Sequence, residues 1–303
     1  MVRFGMSTGI GAGQPLAALR QSLERVAGVG FTHAEILSRN ISAIFNGQIN
    51  TARLETLKEA IAGSPIAFTL HGSEITTSRG GNLMDISTST ERLIFEADLA
   101  LARTIGASIV VYHSGTLRDI GNDTDAARAG MAAERETLRA MGDIAGESGI
   151  TIAVENRVPI GRTLLRHGYG ISLERLADQI NEIDHPQVGV CLDTGHAFLG
   201  AAYLGYDFLE QIRLIAPLVS HIHFADNFGK VQLDERADPS EDVFAGLGDL
   251  HLLPGWGAIP FGELEQIAFP RRPIVNLELR PQFVEHLQLA SDTTRAFAER
   301  IGN

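Results

Sequence analysis

One cysteine, no long apolar run and no excess of positive charge: each shortage removes a class of protein. Cys191 alone cannot close an internal disulfide, and its place in the apolar run GVCLD marks it as a small buried strand residue rather than a redox centre. No stretch approaches the roughly eighteen consecutive apolar residues of a membrane span. The start MVRFGMSTGIGAG lacks the sustained apolar core of a secretion signal, so the expected location is cytoplasmic. Lysine and arginine number 25 against 37 aspartates and glutamates, a formal charge of −12. That balance argues against broad adhesion to nucleic acid but leaves room for a local basic groove. Internal repeats, low-complexity tracts and an interdomain linker are also missing. The 303 residues, 44% of them hydrophobic, are therefore expected to build one core and a single domain spanning 1–303.

What is present is an alternation. Apolar runs of four to seven residues alternate with stretches of helical periodicity, the pattern of repeated βα units and a parallel sheet. Eight strands are predicted: VRFGM (2–6), HAEIL (33–37), IAFTLH (66–71), SIVVYH (108–113), TIAVE (151–155), VGVCLD (188–193), SHIHFAD (220–226) and PIVNLEL (273–279). Helices are expected over 15–27, 51–63, 89–105, 124–148, 171–180 with Ser172 as its cap, 206–216 and 283–301, with a short one opening near Phe261. Eight strand–helix pairs predict an α/β fold, a single (β/α)8 barrel, whose active site lies at the carboxyl ends of the strands.

Those ends are where the chemistry falls. His71, His113, Glu155, Asp193, His223 and Glu278 each close a strand or stand at its end, and His196 follows Asp193 in LDTGH. Asp249 and His251 share the loop GDLHLLPGWG. A carboxylate or imidazole at the end of a buried strand must be compensated by a metal, a proton partner or a substrate. One strand-end histidine alone reads as a structural residue. Six strands delivering such groups to one mouth read as a divalent-metal site. For Glu155 and Glu278 the competing reading is an acid and base pair without metal.

The pair Asp193 and His196 can flank one ion if the chain turns into a loop after the strand. His221 and His223 share one face by the period-two rule, and His223, nearer the mouth, is preferred; His221 reads as a satisfied core histidine or one that supports a ligand from behind. Asp226 is a candidate orienter of His223, and Glu35 a candidate polar contact to substrate. Arg280 alternates with Glu278 and either grips a phosphate or carboxylate or makes an ordinary salt bridge. Trp256 and Phe228 are candidates for the pocket wall or for packing. His33, His167, His185 and His286 receive no function. A donor set of imidazole and carboxylate without thiolate points to zinc, manganese or iron, and nine candidate ligands point to one to three ions per chain.

The segments LHG at His71, YHSG at His113, VEN at Glu155, CLDTGHAF at Asp193 and His196, HIHFAD at His223, GDLHLLPGWGAIP at Asp249 and His251, and LEL at Glu278 resemble the xylose isomerase-like TIM-barrel superfamily. That superfamily contains sugar isomerases and epimerases together with the endonuclease IV class of apurinic-site nucleases. The resemblance runs over nearly the whole chain and implies metal at His71, His113, Glu155, Asp193, His196, His223, Asp249, His251 and Glu278 on the nuclease pattern. On the isomerase pattern it implies Glu155, Asp193, His223 and Glu278 around one ion.

After His71 the chain reads GSEITTSRGGN instead of the nuclease family's aromatic-containing segment, and after Glu155 it reads NRVPIGR without that family's glycine–glutamine turn. The expectation is a metal-dependent isomerase or epimerase of a sugar, sugar phosphate or related polyol, working by proton transfer through an enediolate. Glu155 and Glu278 would move the proton, and His196 and Arg280 would hold substrate oxygens. The alternative is an endonuclease IV-like phosphodiester hydrolase acting on abasic DNA. A lyase or dehydratase acting on a keto-polyol is close to the first reading, and a barrel that binds without turnover forms a third class. Specificity is expected to reside in loops 72–87, 156–170 and 227–260; an exposed outer helix offers a face for a homo-oligomer.

Overall fold

Eight parallel strands close into a barrel in the order in which they occur along the chain, the first hydrogen-bonded to the last. They are β1 (Phe4–Ser7), β2 (His33–Leu37), β3 (Ala67–His71), β4 (Ala107–His113), β5 (Thr151–Glu155), β6 (Val188–Asp193), β7 (Val219–Phe224) and β8 (Ile274–Leu277). The computed structural model describes residues 2–8, 10–11, 14–76, 82–83, 85–86, 88–113, 125–159, 169–232 and 240–302. The α/β barrel expected from the sequence is the fold, with each strand within two residues of its predicted bounds. Parts of the three predicted specificity loops, and His167, lie outside the described residues.

The strands are legible because a parallel barrel buries both of their faces. All six residues of β6 are buried, so VGVCLD reads as a continuous run rather than an alternation. Around the barrel lie α1 (Ala17–Gly28), α2 (Thr51–Ile61), α3 (Ser89–Ile105), α4 (Asp125–Gly146), α5 (Leu173–Ile183), α6 (Thr194–Leu204), α7 (Phe208–Ile215) and α8 (Leu287–Arg300). Ser172 caps α5 as predicted, its side chain accepting from the Arg175 amide at 3.4 Å. The start of the last predicted helix is instead a 3-10 segment, Pro281–His286. Among the described residues no helix is long and apolar enough to cross a membrane.

One condition set for Asp193 and His196 is not met, although the two still come together with Glu155. The chain does not turn into a loop after Asp193; it enters α6 at once, with Asp193 as the cap accepting from the His196 amide at 2.7 Å. The sequence TGHAFLGAAYL is apolar on nearly every side, so it carries no one-faced stripe from which a helix is read.

Strand parity then places the site. Ile109, Val111, Ala153, Cys191 and Ile274 form an apolar cluster of their own. Two or four residues further along the same strands, on the same face, stand His113, Glu155, Asp193 and Glu278. The barrel interior is thus polar toward its carboxyl end, above a layer in which the apolar cluster meets the buried His221.

Candidate metal centre

The register sets polar residues beside one another before any side chain is considered. His113 is the cross-strand partner of Glu155, and Asp193 that of His223. Glu278 lies one residue beyond β8, where its amide still continues the ladder to the Phe224 carbonyl. All nine predicted ligands come to this one mouth. Most of them surround a cavity of about 490 Å³ that is also lined by Ser7, Arg39, Glu74, Arg157 and Arg280. Asp193 and His223 do not line it but are fully buried beside it, 3.7 Å from His196 Nε2 and 3.3 Å from Glu155 Oε1 respectively.

Glu155 is the hub. Its Oε2 lies 2.9 Å from His113 Nε2 and 3.7 Å from His71 Nε2, and its Oε1 lies 3.3 Å from His223 Nδ1 and 3.4 Å from His196 Nδ1. On the far side His251 Nε2 lies 2.6 Å and His196 Nε2 3.3 Å from Asp249 Oδ2. His251 Nδ1 faces Glu278 Oε2 at 3.8 Å, and His223 Nδ1 faces Glu278 Oε1 at 3.7 Å. Donor atoms lie within 4.8 Å of one another in the sets His71, His113, Glu155; Glu155, Asp193, His196; His196, Asp249, His251; and Glu35, His223, Glu278.

Partners behind the rings fix which nitrogen faces inward. A carbonyl can only accept, so His71 Nδ1 donates to Gly72 O at 3.1 Å and His196 Nδ1 donates to Asn156 O at 2.9 Å. Each ring thereby turns Nε2 toward the interior, where it offers a lone pair once its proton is shed. His113 Nδ1 is held by Glu74 at 3.0 Å, and His223 Nε2 lies 3.0 Å from Glu35. The carbonyls behind His71 and His196 and the carboxylate behind His113 are supports of the kind ligating imidazoles characteristically have.

The electrostatics describe carboxylates and imidazoles competing for protons. Burial alone would lower the His71, His196 and His251 imidazoles, yet the surrounding carboxylates raise them to about 9, about 10 and about 9. Burial would raise Glu155, but His113 and His223 hold it well below the usual carboxylate range. Asp193 is pushed up by burial and by Asp249, Glu155 and Glu278, against the pull of His196. Asp193 Oδ2, Asp249 Oδ1 and both ring nitrogens of His223 are buried without a geometrically sound hydrogen bond. Inward nitrogen lone pairs, unsatisfied carboxylate oxygens and no thiolate in the rim make a donor set that fits a divalent cation.

Several individual expectations need correction. Asp226 does not orient His223: its carboxylate accepts from the amides of Asn227, Gly255, Gly257 and Ile259 at 2.8 to 3.2 Å and shapes the loop beyond His251. A Cβ at Gly257 would fall 2.4 Å from Asn227 O, which is why glycine stands there. Glu35 is no surface for substrate; it is fully buried, 2.9 Å from His221 Nε2 and bonded to Thr69. His221 is a core histidine held through Nε2 by Glu35, but not the satisfied one expected, since its Nδ1 is buried with no hydrogen-bond partner among the described residues. Trp256 and Phe228 do not line the cavity, and Trp256 packs edge-on against Phe283 and His286. Arg280 faces the cavity as predicted and donates to the Asp249 carbonyl at 3.1 Å.

Three contributors escaped the sequence reading. Glu74, in the polar loop after β3, supports His113 and pairs with Arg39. Asn156 clasps β6, accepting from the Asp193 amide at 2.7 Å and donating to the Asp193 carbonyl at 3.0 Å. Arg157 reaches the cavity from the end of β5. The last two stand directly after Glu155 in VENR, where polar neighbours of a strand-end carboxylate were the available signal.

An uncharacterized protein of Methanocaldococcus jannaschii is 34% identical over 93 residues, 31% of this chain and 29% of that protein. The chain therefore matches less than a third of the length of this relative. Among solved structures, a D-tagatose 3-epimerase-like protein superposes with a TM-score of 0.67 at 19% identity, covering 99% of this chain and 98% of its own. D-psicose 3-epimerase, crystallised in the presence of D-fructose, gives 0.68 at 16% identity, covering 99% and 100%. At such identities the likeness is one of fold. The xylose isomerase-like TIM-barrel profile matches residues 23–279, most of the barrel and every residue of the rim just described, and the chain belongs to that family.

Proposed function

We propose that the protein is a divalent-metal-dependent isomerase or epimerase of a sugar, sugar phosphate or related polyol. The observation that carries this reading is the meeting of Glu155, Asp193, His223 and Glu278 at one end of the barrel, where Glu155 and Glu278 line a cavity large enough for a small molecule and Asp193 and His223 are buried beside it. Similar folds that bear sugar-epimerase names support it. These four residues would hold an ion, with His71, His113, His196, Asp249 and His251 able to hold one or two more. A bound cation polarises a carbonyl and its adjacent hydroxyl, and so makes the C–H between them acidic.

The chain's own groups do the remainder. Glu155, at the hub of the rim and lining the cavity, would accept the proton from carbon. Glu278, on β8 across the cavity and 3.3 Å from the Ser7 hydroxyl, is placed to return it. Returned to the same carbon from the other side, the proton inverts a centre; returned to the neighbouring carbon, it moves the carbonyl. His196 and Arg280 line the cavity and would hold substrate oxygens.

Metal analysis of protein purified without added ions tests the premise, with one or more zinc, manganese or iron per chain expected. Solvent deuterium entering carbon in a panel of ketoses, their phosphates and inososes tests the reaction. The nuclease reading draws on the additional rim donors His71, His113, Asp249 and His251. It would replace the first if no panel member exchanged while an abasic oligonucleotide was nicked in a chelator-sensitive manner.

A further inference from the structure

Three arginines line the cavity, and they are not equivalent. Arg39 is paired with Glu74, and Arg280 donates to the Asp249 carbonyl. Arg157 is only 8% exposed, and its Nη1 is buried with no hydrogen-bond partner among the described residues. Its backbone is not loose, for its amide donates to the Gly170 carbonyl at 2.9 Å. A guanidinium stays charged at any ordinary pH, so a buried one with an unused donor is costly unless something in the cavity answers it.

Burial works against its charge and outweighs the help of Glu155 and Glu74. Both carboxylates are engaged elsewhere: Glu74 with Arg39 and His113, Glu155 with the four imidazoles of the rim. Once Glu155 serves a cation, its charge is no longer available to the neighbouring arginine. What then fits Arg157 is a planar or tetrahedral oxyanion brought in from solvent, matched to the fork of the guanidinium.

We infer that the substrate of this site is a polyol or keto compound bearing an anionic group, a carboxylate or a phosphate, and that Arg157 receives that group. The inference rests on the metal-dependent polyol reading and narrows it: a neutral free sugar would leave the buried Nη1 unanswered. The cavity of about 490 Å³ is of a size that suits such a small acid.

Calorimetric titration of the metal-loaded protein with inorganic phosphate, D-gluconate and neutral D-glucitol tests it, for wild type, Arg157→Gln and Arg157→Lys. At least one anion is expected to bind the wild type about tenfold or more tightly than Arg157→Gln, with Arg157→Lys between them and the glucitol signal unaltered. The arm that shows the loss tells phosphate from carboxylate. Metal content and thermal midpoint, measured on the same samples, establish that the variants are folded and loaded. If both anions bind wild type and Arg157→Gln alike, or neither binds wild type, Arg157 is merely a counter-ion for the rim and the inference fails. Failure of the metal-dependent reading shows itself separately, as protein that takes up no ion at all.

Discussion

The two halves of the rim are built differently. Glu155, Asp193 and His223 stand on strands, are 0 to 1% exposed, and have positions dictated by barrel register. Asp249 and His251 stand on a loop, with side chains 20% and 29% exposed, and His251 adopts a left-handed backbone at φ 45°. The strand half has nowhere to move, whereas the loop half is held by Asp226 and by the Arg280 contact. Chemistry that must not vary belongs on the first, and the fit to a particular substrate on the second.

Substitution on each half tests this division most severely. Glu155→Gln should lower proton transfer to substrate carbon by about 10²–10⁴-fold and deplete bound metal, read by solvent-exchange rate and metal content. His251→Ala should cost less in rate and alter which panel member is preferred; equal losses with unchanged preference would erase the distinction.

Proton competition comes next. His71 and His251 are raised to about 9, and His196 to about 10, above the ordinary imidazole value of 6.5. Groups raised in the folded state contribute stability that is complete below pH 6.5 and lost as pH climbs through about 9 to 10. Glu74, lowered to about 2 from 4.5 with His113 outweighing its burial, behaves oppositely: its contribution is present above 4.5 and lost toward 2. Metal-free protein should therefore have its highest thermal midpoint between about pH 4.5 and 6.5. Because a ligand imidazole must shed its proton, metal affinity should rise with pH by about tenfold or more per unit from 6 to 8, measured by chelator competition.

The loop half can also be loosened from a distance. Gly257→Ala places a methyl group against the Asn227 carbonyl and the Asp226 carboxylate, and should cost about 1–3 kcal/mol in denaturant unfolding. It should perturb substrate preference while leaving metal content intact. The smallest effect expected is that of Ser172→Ala, about 1 kcal/mol from a lost helix cap, with neither half of the rim affected.

The sequence made the strand half far more legible than its surroundings. A carboxylate closing TIAVE or VGVCLD stands out because everything before it is apolar, and parity then gives its direction. Parity does not give depth or partner. That is why Glu35, inward on β2, was expected at the substrate but lies beneath it against His221 and His223. It is also why Asp226 was expected behind a histidine but gathers loop amides instead. Glu74 carried no signal of its own, lying in a polar loop where a glutamate is unremarked. Helix α6 went unread because a segment buried on most sides has no polar face to mark its period.

The clasp between Asn156 and Asp193 makes one side chain answer for two strand tips. Its amide grips Asp193 on both backbone edges, at N–H and at C=O, while its own carbonyl steadies the His196 ring. Spacing at the hub is in this way governed by a residue with no charge to offer an ion. A family member could exchange its loops freely and still inherit the same gauge between Glu155 and Asp193, so long as that amide stayed.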